Sequence, residues 1–204
     1  MRKDLIANVS HDFKTPLTVI KSYGEMIRDI SGDNKALREK HVETILEETD
    51  YLTHFVNDLL DLSRVESGLG QLNSEPVDLK ALTQDVLCRF KNLERRGYEF
   101  IIHGEGTIIC DENKMRQVIY NFITNAVNYS TDKKRIDIYM IEQKDHITYC
   151  VRDYGRGMAD EDRDKIWERF YRGRDNHERQ VVGTGLGLFI CKNILDLHGF
   201  AYGV

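Results

Sequence analysis

His11 stands in the run SHDFKTPLT, with Asp12 beside it and Thr15 four residues on. An imidazole next to a carboxylate is a candidate nucleophile when it is kept neutral and oriented. On a helix, His11 lies about 200° around the axis from both Val9 and Phe13, so its ring is expected to face water, with Thr15 on the same side. A plain surface histidine is the competing reading, and His41 and His54 are given no more than that. A second constellation is Gln117, Asn121, Asn125 and Asn128, a polar stripe at steps of four, four and three. A stripe that merely met water would hold Lys, Glu or Arg, because asparagine costs helix propensity. Amide oxygens suit a hard cation such as Mg²⁺, although a buried polar network would use the same residues. DYGRGM, Asp153 to Met158, sets a carboxylate at a strand end before Gly155 and Gly157. Such an Asp can accept from a base amino group, and the glycines admit a close backbone, although an ordinary strand-ending turn looks the same. GTGLGL, Gly183 to Leu188, opens a helix whose first N–H groups favour phosphate. It lacks the P-loop lysine and reads G-x-G-x-G, which disfavours both a P-loop and a dinucleotide fold. Arg163, Arg169, Arg172, Arg174 and Arg179 lie between the two glycine motifs, and the polar stretch from Gly173 to Gln180 is expected to be mobile and able to close over a charged ligand, although a solvated loop is the commoner case.

These residues need elements to hold them. Ile6, Val9, Phe13, Pro16, Ile20, Tyr23, Ile27 and Ile30 recur at alternating steps of three and four, the seam of a packed helix. Pro16 removes the hydrogen bond to the Asp12 carbonyl and should kink that helix. SGDN, Ser31 to Asn34, reads as a turn, and Val42, Ile45, Thr49, Leu52, Val56 and Leu59 mark a second helix widened by Leu46, Phe55, Leu60 and Leu62. One antiparallel hairpin cannot bury faces this wide, so two copies are expected to pair into a four-helix bundle through residues 1–68. GLGQLNSEP reads as a linker, 69–76. Beyond it, a helix over Leu79–Leu93, strands at YEFIIHG and TIIC, and a helix over Asp111–Tyr129 capped by Asp111 are expected. RIDIYMIE and HITYCVRD alternate like a hairpin, a short helix falls near Asp160–Ile166, and a last helix runs from Gly185 to His198 with Gly199 as C-cap. Together they predict an α+β sandwich, one sheet under helices, over residues 77–204. FAYGV resembles the start of a strand, and both chain ends read as those of a fragment.

The chain has 204 residues, 41% hydrophobic and 31% charged, with a net charge of −5. This is a globular composition for one or two domains. The acidic balance argues against nucleic acid as the main partner. No apolar run is long enough to span a bilayer and none reads as a signal peptide, so the chain is expected to be soluble as given. Cys88, Cys110, Cys150 and Cys191 form no C-x-x-C pair and read as small core residues in a reducing compartment.

Taken together, SHDFKTPLT, NFITNAVNYS, DYGRGM, WERFYR and GTGLGL resemble, in order, the phospho-acceptor, asparagine, first glycine, phenylalanine and second glycine boxes of sensor histidine kinases of two-component systems. The resemblance covers nearly the whole chain. It implies a dimerisation and phospho-acceptor hairpin over 1–68 and a Bergerat-type ATP-binding domain over 77–204, with the family's closing strands missing after Val204. By resemblance His11 is the phosphorylated residue, Asp12 orients it or takes its proton, and Thr15 positions water for dephosphorylating the partner. Asn121 and Asn125 match the ATP and Mg²⁺ asparagines, Asn125 being the stronger metal candidate, and Tyr129 an aromatic against the nucleotide. Asp153 matches the adenine-reading carboxylate, with Gly155 and Gly157 beside it. Arg172 matches a basic residue near the phosphates, and Gly183, Thr184, Gly185, Leu186 and Gly187 belong to the phosphate-side hinge. Asn128 stands where many members carry a phosphate-binding lysine, and Trp167 where a Phe is usual.

The implied function is an ATP-dependent protein-histidine kinase that passes its phosphoryl group to an aspartate of a response regulator and also dephosphorylates that regulator. The expected setting is the cytoplasmic catalytic part of a membrane-anchored bacterial sensor, with membrane contact only through segments absent from this chain. Two alternatives stay open. One is a phosphatase-dominant member with ATP as a conformational ligand, which Asn128 favours. The other is a non-catalytic dimeric scaffold, against which the asparagine pair and both glycine motifs argue.

Overall fold

The computed structural model describes residues 2–66, 72–171 and 185–204. The chain divides into two compact units between Glu66 and Ser67.

The first unit is a helical hairpin, α1 (Arg2–Met26) and α2 (Lys35–Glu66), and α1 runs through Pro16 as helix. The seam expected on α1 holds from Val9 to Ile27 but ends before Ile30, which is 73% exposed. Ile27–Ser31 is a π-helical segment. Its wider turn rotates the chain by a residue, so Ser31 takes the inward position and is fully buried. Ser31 Oγ lies 3.0 Å from His41 Nδ1. His41 is therefore a buried residue, not the surface histidine expected; His54's side chain lies outside the described ones. Asn34 begins α2 by accepting the Leu37 N–H at 3.1 Å. The apolar residues of α2 form two stripes where the sequence reading mixed them into one. His41, Ile45, Leu52, Phe55 and Leu59 are buried or half-buried, and the Phe13 and Phe55 ring centroids stand 4.9 Å apart. Val42, Leu46, Val56 and Leu60 are exposed.

The second unit starts with β1 (Ser74–Asp78) and continues with α3 (Leu79–Leu87), α4 (Lys91–Arg95), β2 (Glu99–His103), β3 (Thr107–Asp111) and α5 (Glu112–Tyr129). β4 (Arg135–Glu142), β5 (Ile147–Arg152) and α6 (Gly187–His198) follow. The helix expected over Leu79–Leu93 is broken by a 3-10 turn at Cys88–Phe90 that buries Phe90. The short helix expected near Asp160 is two 3-10 turns. Among the described residues the strands form two sheets rather than one: antiparallel β1–β3, and β2–β4–β5 with β2 parallel and β5 antiparallel to the central strand. β2 and β3 are not a hairpin because the turn between them is tied elsewhere, the Gly106 carbonyl accepting the Leu79 N–H at 2.9 Å. The inward residues of β4, Ile136, Ile138 and Met140, form a core with Ile119 and Ile123 of α5 and Ile190 and Ile194 of α6.

Phe200–Val204 makes no ladder; the Tyr202 ring packs on Trp167 at 4.7 Å. Gly199 closes α6 in the left-handed region at φ 69°. Cys110 and Cys191 are core residues as expected, whereas Cys88 and Cys150 are exposed. Among the described residues no helix is long and apolar enough to cross a membrane.

Candidate functional site

α5 carries the amide stripe. Asp111 starts it by accepting the Lys114 N–H at 3.1 Å, and its other oxygen accepts the Asn73 N–H at 3.1 Å. Burial raises the Asp111 carboxyl, but the Lys114 and Asn73 amides outweigh it and hold the group below the usual carboxylate range. Val118, Ile119, Ile123 and Ala126 anchor the helix in the core, which leaves Gln117, Asn121, Asn125 and Asn128 half-buried on its other side.

Two glycine turns flank that stripe. At one end, Asn121 Nδ2 donates to the Gly187 carbonyl at 3.2 Å. The turn before α6 is held from behind: Phe170 N–H donates to the Gly185 carbonyl at 3.0 Å, and Leu186 is fully buried. Gly185 has φ 66°, and a Cβ there would stand 2.9 Å from Phe170 Cα. Arg169 lies over the Phe189 ring, 4.6 Å from its centroid. At the other end, Gly155 sits against the last turn of α5. A Cβ on it would stand 2.0 Å from the Tyr129 carbonyl oxygen. Asp153 Oδ1 accepts the Gly155 N–H at 2.8 Å, which aims the carboxylate from the turn's own backbone. Arg156 stands 5.8 Å from the Tyr129 ring centroid. Asn125 is midway between the two turns, which are about 12 Å apart along the helix by its rise.

Arg172, Gly183 and Thr184, together with Arg174 and Arg179 and the mobility expected around them, lie outside the described residues. In the hairpin, Asp12 is half-buried and Thr15 exposed on α1, and the side chain of His11 lies outside the described ones. No group of three or more His, Cys, Asp or Glu able to hold a metal occurs among the described residues. The amide oxygens of the α5 stripe, those of Asn121 and Asn125 among them, are donors that could hold a cation.

One cluster beside the site was not anticipated. Asp137, on β4 between Ile136 and Ile138, is fully buried. Its carboxylate accepts from Arg135 at 2.8 and 2.9 Å, from His103 Nε2 at 2.7 Å and from the Tyr154 hydroxyl at 2.7 Å. The Arg135 hydrogen bonds foremost, with those of His103 and Tyr154, hold its carboxyl far below the usual range against the cost of burial. A charged residue at the centre of an otherwise apolar strand was the available signal.

Two family models match the chain: the His Kinase A (phospho-acceptor) domain over residues 1–68, and the histidine kinase-, DNA gyrase B- and HSP90-like ATPase over residues 110–203. The sensor histidine kinase WalK of Bacillus subtilis is 32% identical over 203 residues, 97% of this chain and 33% of WalK. The chain thus spans about a third of the length of that curated relative. Among solved structures, the Acinetobacter baumannii histidine kinase AdeS superposes with a TM-score of 0.67 at 26% identity, covering 91% of this chain and 86% of AdeS. Full-length ShkA in complex with AMPPNP superposes with a TM-score of 0.66 at 26% identity, covering 98% of this chain and 42% of ShkA. Carrying a phospho-acceptor hairpin followed by an ATPase unit in this order, the chain belongs to the sensor histidine kinases of two-component systems.

Proposed function

We propose that this chain is an ATP-dependent protein-histidine autokinase that phosphorylates His11 and hands the phosphoryl group to an aspartate of a response regulator. The observation that carries the reading is the flanking of one amide stripe by two glycine turns, Asn121 meeting Gly187 and Tyr129 meeting Gly155 with Asn125 between. A nucleotide laid along α5 would put its base at the Asp153 turn and its phosphates at the N-terminus of α6, where backbone N–H groups favour anions. Asp153 would accept from the exocyclic amino group of adenine, with Tyr129, Gly155 and Gly157 around the base. Gly183, Thr184, Gly185, Leu186 and Gly187, with Arg172, belong to the phosphate end, and Asn128 sits on the same stripe. The similarity to ShkA, solved with AMPPNP, agrees with this assignment. The amides of Asn125 and Asn121 would hold Mg²⁺, a hard cation that takes oxygen ligands and would offset phosphate charge there.

In the transfer itself, a nitrogen of the neutral His11 imidazole attacks the γ-phosphorus in line. The P–N bond forms as the bond to the β,γ-bridging oxygen breaks, ADP leaves with that electron pair, and the proton of the other ring nitrogen passes to Asp12. A receiver aspartate then attacks the same phosphorus and the imidazole nitrogen keeps the pair. Thr15, exposed one turn beyond His11, would orient the water that dephosphorylates the regulator. The hairpin acts as a homodimer, for which the exposed apolar stripe of α2 is the support.

The test is incubation with γ-labelled ATP. Wild type is expected to take up acid-labile, base-stable label, and His11→Gln to take up none while binding ATP with unchanged affinity. Label retained by His11→Gln overturns the assignment.

A further inference from the structure

The residue between the base-reading Asp153 and Gly155 has no role in the reading above, yet it is the most firmly held side chain of that turn. Its hydroxyl donates to Asp137 Oδ2 at 2.7 Å, and its ring is flanked by Lys133 Nζ at 3.7 Å, Arg152 at 5.1 Å and Arg135 at 5.9 Å from the centroid. Its carbonyl accepts from Thr131 Oγ1 at 3.5 Å. We infer that Tyr154 is a positioning residue of the nucleotide site, tying the Asp153–Gly157 turn to a charged anchor buried in the central strand. The inference rests on the nucleotide reading of Asp153.

Asp137 is acceptor-only and fully buried, so it needs donors on both oxygens. Arg135 already gives one to each, and His103 Nε2 gives a further one to Oδ1. The carboxylate is therefore satisfied within β2 and β4, and the phenol is an additional donor that comes from outside the sheet. That donor links the turn to the sheet's rigid centre. The raised Tyr154 pKa, caused first by its hydrogen bond to Asp137, keeps the proton on the phenol oxygen for that purpose. On the opposite side Gly155 bears on the Tyr129 carbonyl. The turn is thus held between the end of α5 and the middle of β4, and the direction of Asp153, whose Oδ1 follows the Gly155 N–H, is set by both. Removing the hydroxyl leaves Asp137 paired and the ring among its cations, but breaks the turn's hydrogen bond to the central strand.

The experiment compares wild type with Tyr154→Phe by calorimetry, using ATP and the triphosphate of purine riboside, which lacks the exocyclic amino group. Loss of one charge-assisted contact should weaken ATP binding about tenfold. Binding of the amino-free analogue should barely change, so the preference between the two collapses. Hydrogen exchange without nucleotide should speed up at Gly155–Met158 while Ile136–Met140 keep their protection. Equal ATP affinity and unchanged preference in Tyr154→Phe, with wild type binding normally, overturns this inference alone. Loss of protection throughout β4 assigns the phenol to general stability and overturns it too. A wild type that binds no ATP overturns the nucleotide reading, and this inference with it.

Discussion

Gly155 shows what a single missing Cβ decides. The methyl of an alanine there would meet the Tyr129 carbonyl oxygen at 2.0 Å and its carbon at 2.9 Å, both backbone atoms that cannot step aside. Gly157 has φ 71° but nothing within 4 Å of a Cβ. Gly155→Ala is therefore expected to push the Asp153 turn off the end of α5 and weaken ATP binding by roughly tenfold or more, a change of the size a displaced hydrogen-bonded carboxylate produces. Gly157→Ala should cost about 1 kcal/mol of stability from its positive φ and, meeting no atom of the chain itself, lower affinity less than Gly155→Ala does. Calorimetry with ATP on both variants checks the contrast; equal losses would mean that strain, not the Tyr129 contact, governs the turn. The motif alone left these glycines open between close approach of a ligand and an ordinary strand-ending turn. In fact Gly155 is closest to the chain's own backbone. A missing side chain is required in either case, so composition cannot tell the two apart. Asp137 escaped notice for a related reason, since its three partners come from β2, β4 and a turn that only the fold assembles.

At the scale of elements, what was legible is what local chemistry determines. α5 has its cap, its apolar face and its amide stripe within one run of residues, and all three stand as read. The pairing of strands is non-local: nothing in YEFIIHG or TIIC says that the first joins β4 in parallel while the second turns to β1. The π-helical segment escaped for the same reason, because the inward place of Ser31 depends on His41 ten residues on. The cap offers a measurable case. Asp111 accepts two backbone N–H groups, so Asp111→Ala should lower stability at neutral pH by about 1–2 kcal/mol in urea unfolding. The folded-state pKa of Asp111 is depressed, so its contribution is complete above the ordinary carboxylate value of about 4 and is lost as pH falls through the folded value. The gap between wild type and variant should close in acid. A gap that persists well below that value would show that the side chain acts through packing rather than through its charge.

Across the whole chain, the two units differ in how completely they bury themselves. The second has a closed core in which Ile119, Ile123, Ile136 and Ile138 are fully buried. The hairpin does not: Val42, Leu46, Val56 and Leu60 are between 40% and 59% exposed, and they fall with Thr49 and Thr53 on one face of α2 at steps of four and three. That face is distinct from the one that packs Phe55 on Phe13, so it can be altered without touching the seam within the hairpin. Burying a fully exposed large aliphatic is worth about 1.5–3 kcal/mol, and each of these four is about half exposed, so pairing would recover roughly half of that per residue on each copy. Leu46→Glu combined with Leu60→Glu places like charges along that stripe. Sedimentation at micromolar concentration should give a dimer for wild type and a monomer for the double variant, with helical circular dichroism largely retained. ATP affinity should be unchanged, because the second unit carries its own core. A wild type that sediments as a monomer would overturn the homodimer, and a double variant that stays dimeric would place the contact between copies elsewhere than on this face of α2.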